Sequence, residues 1–193
     1  FDPSAMITVR VGEETEETES KDFLVHESIL SSRSEFFRRA MNGKWPEADT
    51  RVVELSEDDP DLFGIYLNHV YTEKLPVGET DSDQLVKLDY GVFYKETQKE
   101  YDLLFRLYIF GEKVQDTLFK NDVITSVHTI SSLRHMNGSW SIPTTAAVAL
   151  VYDGTPEASP ARRLIVDLRS DITFQHMQRS KHGSRFEELP KEY

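Results

Sequence analysis

The stretch Phe23-Leu24-Val25-His26-Glu27-Ser28-Ile29-Leu30-Ser31-Ser32-Arg33-Ser34-Glu35-Phe36-Phe37 decides how this sequence folds. Phe23 and Val25 alternate with Asp22 and Leu24, which is the period of a half-buried strand. From Ile29 onward the pattern changes to that of helices, with Ile29, Leu30, Phe36, Phe37, Ala40 and Met41 apolar. Ser34 falls where an N-cap is needed after a short first helix. Asn42-Gly43 supplies a left-handed stop.

Working outward, Ile7, Val9 and Val11 alternate with Thr8 and Arg10, so Met6 to Val11 reads as a first strand that pairs with the second as a hairpin. Residues 44–50 read as a loop, and Arg51 to Leu55 as a third strand with Val53 and Leu55 on one face. Asp59-Pro60-Asp61 is the clearest helix start: Asp59 can cap free amides, Pro60 fits the first turn and Asp61 favours the positive dipole end. The helix it opens is expected to bury Leu62/Phe63, Tyr66/Leu67 and Val70/Tyr71, and to end at Lys74-Leu75-Pro76. Residues 76–100 read as a long surface connection with a short strand at Val92-Phe93-Tyr94. Asp102 to Phe119 and Asn121 to Leu133 follow as amphipathic helices, the first central to the core. Asn137 to Pro143 is a break, and two more helices run from Thr144 to Tyr152 and from Ser159 or Pro160 to Leu168. Residues 170–193 are polar and mixed, with partial order at best.

The 193 residues include 34 acidic and 22 basic groups and no cysteine, a formal net charge of −12. The first hundred residues hold 23 of the 34 acidic groups. Glu13, Glu14, Glu16, Glu17 and Glu19 form the densest run; it lacks the ligand spacing and the glycine of a calcium loop and reads as a solvated, self-repelling loop. The acidic balance argues against nucleic acid as a ligand. Zero cysteine excludes disulfides, thiolate metal sites and cysteine nucleophiles, and points weakly to a reducing compartment. No apolar run approaches the ~18 residues of a membrane span. Phe1-Asp2-Pro3-Ser4 is neither a signal peptide nor a Met start, so the chain reads as a fragment or a processed product. Asn137-Gly138-Ser139 matches a glycosylation acceptor but reads as a turn.

The order of hairpin, paired short helices, strand, capped helix, long connection and further helices resembles the BTB/POZ domain, an α+β (α/β) fold. The opening stretch is similar to that family's "F-x-V-H-x-x-x-L-x-x-R-S-x-F-F" run. Val53-Glu54-Leu55 with Asp58-Asp59-Pro60 and Phe63, then Tyr66-Leu67 through Val70-Tyr71-Thr72-Glu73-Lys74-Leu75, resemble its later blocks. Residues 1–133 are thus expected to form the domain and 134–193 a C-terminal helical extension and polar tail. Ala147 to Tyr152 and Ser159 to Asp167 resemble the extension of filamentous-fungal BTB proteins. Two positions depart from the family: Met6 stands where many members carry an Asp that pairs with the histidine, and Glu73 replaces the usual glycine after Tyr-Thr. The second implies either a turn without positive φ or a strained one.

What the resemblance implies is a non-enzymatic protein-interaction module without cofactor or metal. It would homodimerise through the first strand and the short helices, with Met6, Ile7, Val9, Ile29, Ser32 and Phe36 at the interface. A two-fold interface must be self-complementary, so Ile29 and Phe36 would have to stay partly outside the monomer core. The family's cullin-facing surface would fall on Asn68, Glu73 and Phe119, making the protein a substrate adaptor or scaffold for a cullin-type ubiquitin ligase, located in cytoplasm or nucleus. The partners implied are a second copy, a cullin-type scaffold and an unknown substrate protein, with no membrane. The alternatives are a monomeric Skp- or elongin-like adaptor, or an enzyme with a site in loop 76–100 or the C-terminal helices.

Other chemistry is thinly represented. His26, His69, His128, His135, His176 and His182 show no metal-binding spacing. No nucleophile elbow, phosphate loop or dinucleotide fingerprint is present. Glu57-Asp58-Asp59 reads as helix-start chemistry, Phe105, Tyr108 and Phe110 as core, and Arg179 to Arg185 as a solvated tail in preference to a nuclear address.

Overall fold

The computed structural model describes residues 6–13, 19–76 and 82–170. Strands β1 (Met6–Val11), β2 (Lys21–His26) and β3 (Val52–Leu55) form one sheet in the order β2-β1-β3, with β2 antiparallel and β3 parallel to the central β1. The acidic residues 14–18, the tail 171–193 with its basic stretch, and His176 and His182 lie outside the described residues.

The deciding stretch folds as its pattern dictates. α1 (Glu27–Arg33) and α2 (Glu35–Ala40) are separated by Ser34, whose hydroxyl accepts from the Phe37 amide at 3.2 Å and donates to the Val114 carbonyl at 2.5 Å. α2 ends at Ala40, with Met41 as its C-cap; Gly43, at φ +78°, turns the chain only afterwards. Residues 44–50 are not a plain loop: Pro46 opens a short helix, α3 (Pro46–Thr50), which Arg51 closes at φ +60°.

α4 (Pro60–Thr72) starts as expected, Asp59 accepting from the Asp61 amide at 2.8 Å. The connection read over 76–100 is largely helical instead. α5 (Ser82–Leu85) is followed by α6 (Tyr90–Val114), whose N-cap is Asp89; no strand forms at Val92-Phe93-Tyr94. Phe93, Thr97, Tyr101 and Leu104 continue one helical face, and burying that face outweighs the local strand preference of a three-residue aromatic run. α6 stops at Gln115, φ +56°, and Asp116 caps α7 (Thr117–Ser132), so the boundary falls before Phe119, not after it.

α8 (Thr145–Gly154), capped by Thr144, and α9 (residues 160–170) complete the described chain. Ala147, Val151, Ala161 and Ile165 bury into the same apolar cluster as Val9, Phe63 and Leu104. Two glycines set the helix spacing: a Cβ on Gly111 would lie 3.0 Å from the Phe119 ring, and one on Gly154 would lie 2.7–2.8 Å from three side-chain carbons of Ile109.

Candidate interaction surface

Sheet register decides which strand residues a partner can reach. Across the outer face run three rows: His26 beside Met6; Leu24, Thr8 and Val52; and Asp22, Arg10 and Glu54. The last row is ion-paired, Arg10 lying 2.8 Å from Asp22 and 3.7 Å from Glu54, and the guanidinium holds the Asp22 carboxyl below its usual range. Leu24 is 67% exposed in the middle row.

Ile7 and Val9 occupy the opposite parity. Both are buried in the core of the single chain. Met6 is half-buried on the outer face. Ile29 and Phe36 pack against the core yet remain partly exposed. Ser32 is exposed, its hydroxyl donating to the Ile29 carbonyl at 2.7 Å. Beside Phe36, Glu35 binds Arg38 and Arg39, and these two guanidinium groups hold its carboxyl below the usual range.

At the end of α4, Asn68 and Glu73 are exposed. Asn68 accepts from the Thr72 hydroxyl through both its backbone and side-chain oxygens. Glu73 adopts φ +56°, so the strained turn is the one realised in place of the family's glycine. Phe119 is fully buried, its ring centroid 5.0 Å from those of Tyr66 and His69.

Tyr71 is 43% exposed where a core position was expected. Its hydroxyl accepts the His26 backbone N–H at 3.1 Å and lies 2.9 Å from His26 Nδ1. It therefore supplies the partner for His26 that a carboxylate at position 6 would otherwise provide. The buried face of α4 runs through Phe63, Tyr66, His69 and Val70 instead.

Beneath this surface lies a polar network. Arg33 Nε is 3.4 Å from Asp116 Oδ2, which also accepts from the Tyr66 hydroxyl at 3.3 Å, while Asp116 Oδ1 accepts from the Phe119 amide at 2.9 Å. Burial pushes the Tyr66 phenol upward, and the Asp116 carboxylate pushes it the same way. His69 Nε2 donates to Asp122 at 2.7 Å, and Nδ1 accepts from Arg33 at 3.2 Å, because a carboxylate only accepts and a guanidinium only donates. The network ties α1, α4 and α7 together. Among the described residues no cluster of three or more His, Asp or Glu side chains could hold a metal.

A cleft of about 330 Å³ lies between α8 and α9, lined by Val148, Tyr152, Ile165, Val166 and Arg169 among others. Its walls mix aliphatic side chains with Thr145, Tyr152, Arg169 and Ser170, with no carboxylate or histidine among them. No helix among the described residues is long and apolar enough to cross a membrane.

Comparison with known proteins places this architecture. Residues 7–95 match the model of the BTB/POZ domain family, and this part of the chain is a BTB/POZ domain: a small three-stranded sheet with a cluster of helices. Kelch-like protein 40 of Xenopus laevis is 30% identical over 61 residues, which cover 32% of this chain and 10% of that protein. The aligned region is thus a small part of the relative's length. BTB domains are protein-interaction modules, and binding another protein is the role this domain supports.

Proposed function

We propose that this chain is a homodimerising BTB/POZ module that recruits a substrate protein to a cullin-type ubiquitin ligase. The observation that carries the reading is the BTB/POZ match over residues 7–95 together with partly exposed apolar side chains at Ile29 and Phe36 on the paired short helices. Similarity to a Kelch-like protein supports an adaptor role. Met6, Ile29, Ser32 and Phe36 form the self-contact in this reading, and Asn68 and Glu73 the cullin contact. The domain proper is assigned to residues 1–133 and the helical extension, of filamentous-fungal type, to 134–193, with the module working in cytoplasm or nucleus.

Light scattering at micromolar concentration tests the dimer. A dimer that Ile29→Asp with Phe36→Asp converts to a folded monomer supports the reading, whereas a monomeric parent chain leaves the Skp- or elongin-like alternative. Pull-down with cullin N-terminal domains, repeated with Asn68→Arg and Glu73→Lys, tests recruitment. Failure of every cullin to bind would reduce the protein to a scaffold.

A further inference from the structure

Four exposed apolar side chains gather where the turn before α6 meets the segment after α7: Leu88, Tyr90 at 38%, Tyr94 at 40% and Met136 at 71% exposure. The surface is held rigid from below. His135 Nε2 donates to the Leu88 carbonyl at 2.8 Å, the Met136 amide donates to the Val86 carbonyl at 3.1 Å, and Asp89 accepts from the Gly91 amide at 2.8 Å. Tyr90 stands against Phe93, Tyr94 and His135, with ring centroids 6.2, 6.4 and 5.4 Å away. Fixed aromatic rings lose little entropy on binding and are the usual anchors of protein interfaces.

Charge identifies the occupant. The formal net charge is −12, and cations elsewhere on α6 and α7 are ion-paired: Lys99 with Glu96, Arg106 with Asp102, Lys113 with Asp58, Lys120 with Glu112. Lys87, Lys95 and Arg134, which flank the aromatic patch in sequence, pair with no carboxylate among the described residues. Arg134 instead lies over the Trp140 ring, 5.3 Å from its centroid. Asp89, the one acidic residue in 86–95 and 133–140, is occupied in capping α6. An acidic partner is repelled by most of this molecule and attracted here.

We propose that Leu88, Tyr90, Tyr94 and Met136, flanked in sequence by Lys87, Lys95 and Arg134, dock an acidic linear segment of a partner protein in which leucine or phenylalanine lies between carboxylates. The rings take the apolar side chains and the cations take the acids. This surface is separate from the residues assigned to self-contact and cullin recruitment, so it stands or falls independently of them.

The chain has no cysteine, so Val92→Cys, an exposed position on α6 outside the four docking side chains, gives a single attachment point for an environment-sensitive fluorophore on the whole 193-residue protein. The probe is a short synthetic peptide of glutamate, aspartate, leucine and phenylalanine. It is compared with the same peptide carrying lysine in place of every acid. The acidic peptide is expected to saturate the signal, to bind at least about tenfold more tightly than the lysine peptide, and to weaken as salt rises from about 50 to about 500 mM. Lys87→Glu with Lys95→Glu should lose that tenfold preference, and Tyr90→Ser with Tyr94→Ser should lose binding, while both variants still unfold in a single cooperative thermal transition above the assay temperature. Equal binding of the two peptides, indifference to the lysine reversals, or a signal that follows protein concentration without peptide, as a second copy would give, overturns the proposal.

Discussion

The hydroxyl of Tyr71 lies 2.9 Å from Nδ1 of His26 and accepts the His26 backbone N–H, fastening the end of β2 to the last turn of α4. Tyr71→Phe removes this tie and little else. Because the site is half exposed, the expected loss is about 0.5–1 kcal/mol, read from denaturant unfolding. A variant as stable as the parent would mean that water replaces the hydroxyl without cost.

The Arg33–Asp116 pair predicts a larger effect. Asp116 is buried and serves α1, α4 and α7 at once. Arg33→Met or Asp116→Asn alone leaves one buried charge without its counterpart, so each should cost about 3–5 kcal/mol. The double variant should cost clearly less than the sum, because the stranded charge is gone. Strict additivity in the double-mutant cycle would show that the two charges do not interact.

Gly154 marks the tightest helix contact. A Cβ there meets Cγ1, Cγ2 and Cδ1 of Ile109, so Gly154→Ala should destabilise by about 1–3 kcal/mol through overpacking. Adding Ile109→Ala removes all three carbons. The pair should then recover part of the loss relative to Ile109→Ala and Gly154→Ala combined, as followed by thermal unfolding.

His135 predicts a pH dependence. The Leu88 carbonyl accepting from its ring raises the folded-state pKa above the ordinary value of about 6.5. A raised value means the folded state holds the proton more tightly. The associated stability is therefore fully present below about pH 6.5 and is lost as pH rises through the raised value. Thermal midpoints of the parent should fall across neutral pH relative to those of His135→Gln, whose slope there should be shallower; parallel curves would refute the assignment.

Much of the fold was legible because single residues carry unambiguous signals. Ser34, Asp59 and Thr144 cap the helices their positions implied, and strand alternation gave the hairpin and its buried side. Helix limits without such a marker were missed. Gln115 breaks α6 from α7 at positive φ with no glycine to announce it, so one helix was expected across Asp102 to Phe119. The true start at Asp116 sets the phase of α7, turning Phe119, Val123 and Val127 inward and Leu118 outward. Which side chains face outward depends on the same phase. Ile7 and Val9 alternate correctly, but alternation alone does not say which face meets the partner, and Tyr71 lies one residue beyond the buried face ending at Val70.

The sheet order β2-β1-β3 also bears on how the chain reaches its native state. β1 and β2 are neighbours in sequence and can zip together locally, whereas the parallel partner β3 must travel back past α1 to α3 before it finds β1. Closing that longer loop is slower, and the hairpin meanwhile leaves one side of β1 unsatisfied. On a ribosome, the open side of β1 has to wait until residues 52–55 have emerged, and the apolar cluster stays incomplete until Ala161 and Ile165 arrive, more than a hundred residues behind the first strand. Chaperone demand during synthesis should therefore peak in that interval.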